Sequence, residues 1–430
     1  MKLILHRNTI ISSIILGIIY FILEYSYVNM VFPVYGYQGF EYEFDMLKNI
    51  ETKFIFLLFI FSSFYVSKKS QFIYNIEIIL AVFTLIPNLI LFSYHDMDRI
   101  IIYSIVLMFT FLTLISVHKF KIPDIALNQN SNSLILIGVT TAIFIYVFIH
   151  FRFNFSFKTL SLKDIYDTRA IYKANMPKLG VYLFNWEVKI LTPLLLIFSI
   201  INRRILLIVF SIFVLMYFFL ISGHKAVYLS SFILLFFYFV GKNYSEKGVN
   251  FLFCLVIFLV LSIIIDKLII HRTFLESIFI RRVFFTPALL NDFYFEFFDE
   301  KPVYLSHSIF KSFFEYPYEL KPPALIADKY FGSPESSANN GIIADGFLNF
   351  GTIGIVIYLF IFSLIFAYFN SIEPDIRYFG IFFLMTRVFI GSALLTIIKT
   401  HGLWLLIIFA VLIMRRKTKV KSSEIKRHSD

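Results

Sequence analysis

The sequence predicts an all-α polytopic integral membrane protein with about twelve transmembrane helices. Hydrophobic residues make up 59% of the 430-residue chain, at a mean hydropathy of +0.80. Apolar runs of roughly 20 residues recur along it, the length that crosses bilayer hydrocarbon as a helix. Lys and Arg cluster in the short breaks between those runs, as cytoplasmic loops do, so the net charge of +11 points to a membrane rather than to nucleic acid. The single cysteine, Cys254, excludes an intramolecular disulfide and a cysteine metal site.

In chain order the spans are expected near 9–28, 53–67, 72–93, 100–117, 134–151, 184–201, 204–221, 225–240, 250–270, 352–370, 376–398 and 402–414. The first run is too long for a cleavable signal and lacks a small-residue cleavage site, so it is expected to stay as the first helix. Counting cations orients the chain. An inside amino terminus gathers Lys2, Arg7, Lys68, Lys69, Lys119, Lys121, Arg203, Arg204, Lys242, Lys247 and the basic tail on one face, so both termini are expected to be cytoplasmic. The acidic first loop (Glu41, Glu43, Asp45, Glu51) and two long loops then face out. The chain divides into 1–270 with nine spans and an outer loop at 152–183, a large outer loop at 271–351, three spans at 352–414, and a basic tail at 415–430.

The large loop concentrates ionisable residues, aromatics and turn formers. Its stretch SIFIRRVFFTPALLNDFYFEFFDE mixes helical-period apolar residues with charge, which predicts short interfacial helices, and Pro317, Pro322, Pro323 and Pro334 then break regular structure.

Anion-binding candidates come from cations on the outer face. The loop LKDIYDTRAIYKANMPKLG sets Lys163, Arg169, Lys173 and Lys178 against Asp164 and Asp167, either as a phosphate site or as ordinary solvated charge. The turn Ser222-Gly223-His224-Lys225 puts His224 and Lys225 at headgroup level, where a snorkelling lysine is the plainer account. Arg272, Arg281 and Arg282 follow the ninth span, and adjacent Arg281 and Arg282 project about 100° apart on a helix, so one of them at most faces a given pocket.

Acid–base candidates are Asp292, Glu296, Asp299, Glu315, Glu319, Asp328 and Asp345, with His307 as a neutral base, although most acids in such a loop are simply solvated. Asp345 stands apart because it lies among glycines where the chain returns to the bilayer, and a partly desolvated carboxylate becomes a better proton acceptor. Glu24 and Arg387 fall inside spans, where each either lines a polar cavity or forms a structural ion pair. Glu187, Lys189 and Asp266 lie nearer span ends. Asp96-Met97-Asp98 is a weak metal signal, and no phosphate-cradling glycine loop, HExxH, or protease or acyltransferase constellation is present.

Three places resemble the Wzy-type polymerases of bacterial O-antigen and capsule repeat units. The first is an arginine and a glycine separated by ten residues in an outer loop, matched by Arg169 and Gly180. The second is the small-Gly-x-Lys turn, Ser222 to Lys225. The third is Asn340-Gly341, Asp345-Gly346-Phe347 and Asn349-Phe350-Gly351-Thr352-Ile353-Gly354 closing the large loop. The second-loop arginines depart from the pattern, since none of Arg272, Arg281 and Arg282 has a glycine at the family's spacing.

The resemblance implies a GT-C-like fold and glycosyl transfer at the outer face of a bacterial inner membrane. A growing polysaccharide on undecaprenyl diphosphate would pass to the non-reducing end of a newly arrived lipid-linked repeat unit. It implies catalysis without a metal or other cofactor, donor and acceptor as partners in the bilayer, and leaves a chain-length regulator open. On this reading Arg169, Lys225 and one of Arg272, Arg281 or Arg282 stabilise the departing diphosphate. Asp345 is first choice as base, ahead of His307 and Glu296. His224 and Asn340 bind substrate, and Tyr294, Phe297, Tyr304 and Tyr316 stack on sugars. An O-antigen ligase, which uses the same donor, is the nearest alternative. A flippase for lipid-linked units is another, although few mid-membrane charges and no visible internal repeat disfavour it.

Overall fold

The computed structural model describes residues 2–123, 129–152, 165–299 and 301–416, with 155, 157 and 159 between them. Lys163, Asp164 and the tail from 417 onward lie outside the described residues. Every regular element described is helical. Among the described residues nine helices are long and apolar enough by length and composition to cross a membrane: Arg7–Gln38, Met46–Lys69, Gln71–Tyr94, Arg99–Ser116, Asn130–Phe151, Lys178–Ile201, Ile205–Ser222, Tyr244–Ile270 and Ile342–Ile372. Lys225–Phe239 and Leu403–Met414 are shorter apolar helices.

Local chemistry starts these helices. Asp45 accepts from the N–H groups of Leu47 and Lys48, Ser70 from Ile73, and Asp98 from Ile100, each satisfying an orphan donor of a first turn. Asn243 and Glu246 cap Tyr244–Ile270 reciprocally. Gly223 ends Ile205–Ser222 in the left-handed conformation (φ 62°).

Proline shapes the interiors. Four π-helical turns, Tyr27–Val31, Ala81–Leu85, Glu187–Leu191 and Ser277–Phe285, each end two residues before a proline, namely Pro33, Pro87, Pro193 and Pro287. A proline lacks the N–H and crowds the carbonyl one turn back, and a widened turn relieves both faults. The helix continues, but with its faces turned.

Gln71–Tyr94 is the central strut, buried at every residue from Phe72 to Tyr94. At one end of the bundle Ser70 bonds Asn370, Asn370 bonds the Ser116 carbonyl, and Tyr244 bonds the Pro374 carbonyl. At the other, Glu43 N–H reaches Tyr94, Leu394 N–H reaches Asp345, and Trp186 reaches Lys399.

Three stretches differ from expectation. The run Ser277–Phe298 enters the core instead of lying on a surface: Phe284, Phe285, Tyr294 and Phe298 are buried, and Phe284 stacks on Phe83 of the strut. Its aromatic area outweighs its few charges. The tenth span begins at Ile342 and kinks at Phe350–Gly351, so the motif Asp345 to Gly354 is a helical corner. The eleventh is broken: Phe379–Ile390 ends at Gly391, and Leu394–Lys399 starts afresh with the Asp345 carboxylate accepting from Leu394 N–H.

Candidate functional site

Two cavities of opposite charge lie at the Tyr94 and Asp345 end. The first, about 490 Å³, sits where the smaller hydrophobic cluster (Phe184, Val188, Val227) meets the main one (Met385, with Leu384 packed nearby). Its lining sets two basic side chains and an imidazole beside Tyr172, Asn185 and Ser230. Lys189 enters from the widened turn Glu187–Leu191 that Pro193 requires, Arg387 from the last turn of Phe379–Ile390, and His224 from the turn after Ile205–Ser222.

Of these, Lys189 and Arg387 have no carboxylate partner among the described residues. Lys189 Nζ donates to His401 Nδ1 at 2.6 Å, and His401 Nε2 lies 3.1 Å from Ser392 Oγ. The Arg387 guanidinium lies 4.0 Å from the Phe83 ring centroid, and its NH1 is buried without a hydrogen-bond partner among the described residues. Among the described residues no carboxylate lines the cavity. Glu187, two residues before Lys189, accepts from the Thr192 hydroxyl through Oε1, while its Oε2 is buried without a hydrogen-bond partner among the described residues. Burial, then the cations Arg169 and Lys189, push His224 down to about 4, and burial followed by Lys189 pushes His401 down to about 3. Both imidazoles are therefore neutral at neutral pH. Uncompensated cations in an apolar setting are costly, and an anion entering the cavity removes that cost.

The second cavity, about 610 Å³, is lined by Glu41, Asp96, Asp98, Asp292, Glu296 and Asp299. His95 lines it too, with Nε2 donating to Asp292 Oδ2 at 2.9 Å. Burial alone would lower the His95 pKa, but the bond to Asp292 and the charges of Asp292, Glu41 and Asp96 more than offset it and the net shift is upward. A separate space of about 20 Å³ is lined by Phe83, Asn88, Asn291 and Ile390, with room for about one water.

No family model matches the chain, and no curated protein or solved structure matches it. The geometry alone bears on function.

Two places in the sequence meet at the cationic cavity. Arg169 Nε donates to the Gly223 carbonyl at 3.2 Å, joining the outer-loop arginine to the Ser222–Lys225 turn. Lys225 is exposed beside the cavity, while His224 lines it. The second-loop arginines lie elsewhere. Arg281 is buried, bonds Ser277 and Gln38, and sits over Tyr35, whereas Arg282 is exposed. Arg272 lines a separate cavity of about 350 Å³ with Asp266 and Glu276.

Asp345 is 3% exposed, with Oδ2 accepting from Leu394 N–H at 2.8 Å and Oδ1 from Asn349 at 3.1 Å and Asn340 at 3.5 Å. It lines neither cavity. His307 packs near Tyr316, with its pKa lowered by burial and then by Lys321, and Glu296 is exposed on the acidic cavity. Tyr294 is buried on the Ala338 carbonyl, away from solvent. Glu24 is bound by Lys53 at 3.1 Å, a structural ion pair, whereas Arg387 faces a cavity. Asp96 pairs with Lys48 at 3.0 Å and Asp98 caps a helix. Among the described residues no group of three or more His, Cys, Asp or Glu is placed to hold a metal ion.

Sequence reasoning missed Lys189 and His401 as site residues. The available signal was a lysine inside the apolar run VYLFNWEVKILTPLLL, four residues before a proline.

Proposed function

We propose that the protein is a Wzy-type polymerase, spanning the inner membrane about twelve times in a GT-C-like arrangement with both termini cytoplasmic. One observation supports this most: a cavity with cationic side chains, apolar walls and, among the described residues, no carboxylate, at the end that the positive-inside rule assigns to the outer face. A polyprenyl diphosphate has that character, an anion on an apolar tail.

In this mechanism Lys189 and Arg387 hold the diphosphate of the donor glycan, with Arg169 bracing the Gly223 turn. The acceptor hydroxyl oxygen attacks the anomeric carbon, and the bond from that carbon to the diphosphate breaks. Its electron pair passes to the phosphate oxygen, where the fixed cations stabilise it. The hydroxyl proton goes to His224, neutral and on the cavity wall. The incoming dianion raises the His224 pKa from its depressed value toward that of a working base. Asp345 is assigned a positioning role, holding Leu394–Lys399 and through it the His401 side of the cavity.

The test is a deletion strain complemented with wild type, Lys189→Met or Arg387→Met, with membrane abundance checked and surface glycan resolved on gels. Single-repeat-capped core in place of a ladder is the expected result for both variants. Bare core with polymer accumulated on the lipid carrier would make the protein a ligase, and bare core with unpolymerised units held inside would make it a flippase.

A further inference from the structure

The acidic cavity has no part in holding a diphosphate, yet it is a built site. Six carboxylates line it, and five of them have local partners: Asp96 with Lys48, Asp98 with a helix N-terminus, Asp292 and Glu41 with His95, and Glu296 with Tyr330. Glu296 and Asp299 are exposed one turn apart at the end of Thr286–Phe298, so both project to the same side. Two stacked aromatic pairs, Phe293 on Tyr330 and Phe295 on Phe347, each at 4.0 Å, line it as well.

His95 adds an independent sign of a ligand. It is 6% exposed, and its Nδ1 is buried without a hydrogen bond, although Glu41 Oε2 approaches to 3.3 Å. A buried polar atom left unpaired beside a cavity of this size is one that a bound group satisfies.

We propose that this cavity is the subsite for the acceptor glycan, and that its excess of carboxylates over cations, beside stacked aromatics, selects a sugar bearing a free ammonium group. The glycan identity of the ligand rests on the polymerase reading, whereas its charge follows from the cavity. Carboxylates accept charge-assisted hydrogen bonds from an ammonium and ordinary ones from hydroxyls, and aromatic faces pack against the pyranose ring. An anionic sugar such as a uronic acid is repelled. A neutral sugar binds but leaves the carboxylates uncompensated.

The test uses the full-length protein in nanodiscs and three tetrasaccharides of equal length, those of glucosamine, N-acetylglucosamine and galacturonic acid, with binding measured by calorimetry. The glucosamine tetramer is expected to bind about tenfold more tightly than the N-acetylated one, and the galacturonate not measurably. The preference shrinks when salt is raised from about 0.05 M to about 0.5 M. Because Glu296 and Asp299 are exposed, the double variant Glu296→Gln/Asp299→Asn keeps the fold and loses most of the preference. Asp292→Asn provides a second, buried variant with the same expected loss. Equal binding of all three tetramers, tighter binding of galacturonate, no binding of any, or an undiminished preference in the double variant would overturn the proposal. Undecaprenyl diphosphate binding, followed by Trp186 fluorescence, separates the two readings. If it persists while the amine preference is absent, only the acidic subsite falls; if it is absent while the preference is present, the polymerase reading falls and the ammonium site stands.

Discussion

Lys189 Nζ lies 2.6 Å from His401 Nδ1, although 212 residues separate them. The contact joins the Lys178–Ile201 helix to the turn before Leu403–Met414, and it holds the lysine by an imidazole rather than by a carboxylate. A carboxylate there would neutralise the charge that a diphosphate needs. A neutral imidazole orients the ammonium and leaves its charge available.

On the proposed mechanism, replacing Lys189 or Arg387 with methionine removes a fixed cation from the developing phosphate charge. Each variant is expected to lose about 10²- to 10³-fold in transfer rate, by analogy with loss of one preorganised donor. Lys189→Arg should recover part of it. The rate of polymer formation from lipid-linked repeat units measures this, and a rate within twofold of wild type, about the spread of replicate assays, would remove these residues from the mechanism.

Diphosphate affinity should depend on pH through His224. Its pKa in the empty cavity is pushed down to about 4 by burial and neighbouring cations, and a bound dianion raises it. Between the empty and the occupied values, binding takes up a proton, so affinity weakens by up to about tenfold per unit as pH rises, and it levels off above the occupied value. His224→Gln should flatten that slope. Titration of undecaprenyl diphosphate against tryptophan fluorescence reads it, because Trp186 and Trp404, the only two tryptophans, sit 5.1 Å apart beside this region.

Asp345→Ala leaves the Leu394 N–H buried without an acceptor, a loss of about 1–3 kcal/mol of stability. Thermal unfolding in detergent measures it. Unchanged stability with abolished transfer would restore Asp345 to a direct role as proton acceptor.

Gly351 carries φ 60° and ψ −147° at the corner of Ile342–Ile372, a conformation that other residues adopt only under strain. Gly351→Ala should therefore cost about 1–3 kcal/mol, although a Cβ there meets nothing within 4 Å. An unfolding temperature equal to wild type would show that the corner relaxes.

The assignment of faces is checked by single cysteines on a Cys254→Ser background. Lys173→Cys should label with an impermeant maleimide on intact cells, and Lys119→Cys only after permeabilisation. The reverse pattern would invert the topology and put the cationic cavity on the cytoplasmic side.

Much of this was legible along the chain. Hydropathy located the long helices, whereas the burial of every residue from Phe72 to Tyr94 is a product of packing. The motif closing the large loop is a real structural device. A Cβ on Gly341 would lie 2.4 Å from the Ile390 carbonyl oxygen, so glycine lets the corner pack against the broken span. Harder to see were the Gly391 break and the burial of Ser277–Phe298, because a mixed apolar and charged run fits a core helix and a surface helix alike.

By itself the sequence determined the membrane class, the approximate spans and the ends at which charge collects, since hydropathy and cation bias add up locally along the chain. Only the tertiary structure decided what each charge does. Glu24 and Arg387 look alike in sequence, each a lone ionisable residue in an apolar run, yet Glu24 meets Lys53 from the next helix, and Arg387 meets Phe83 and an open cavity. Whether a buried charge is neutralised depends on groups brought close in space, and those partners are set by packing rather than by neighbours in the chain.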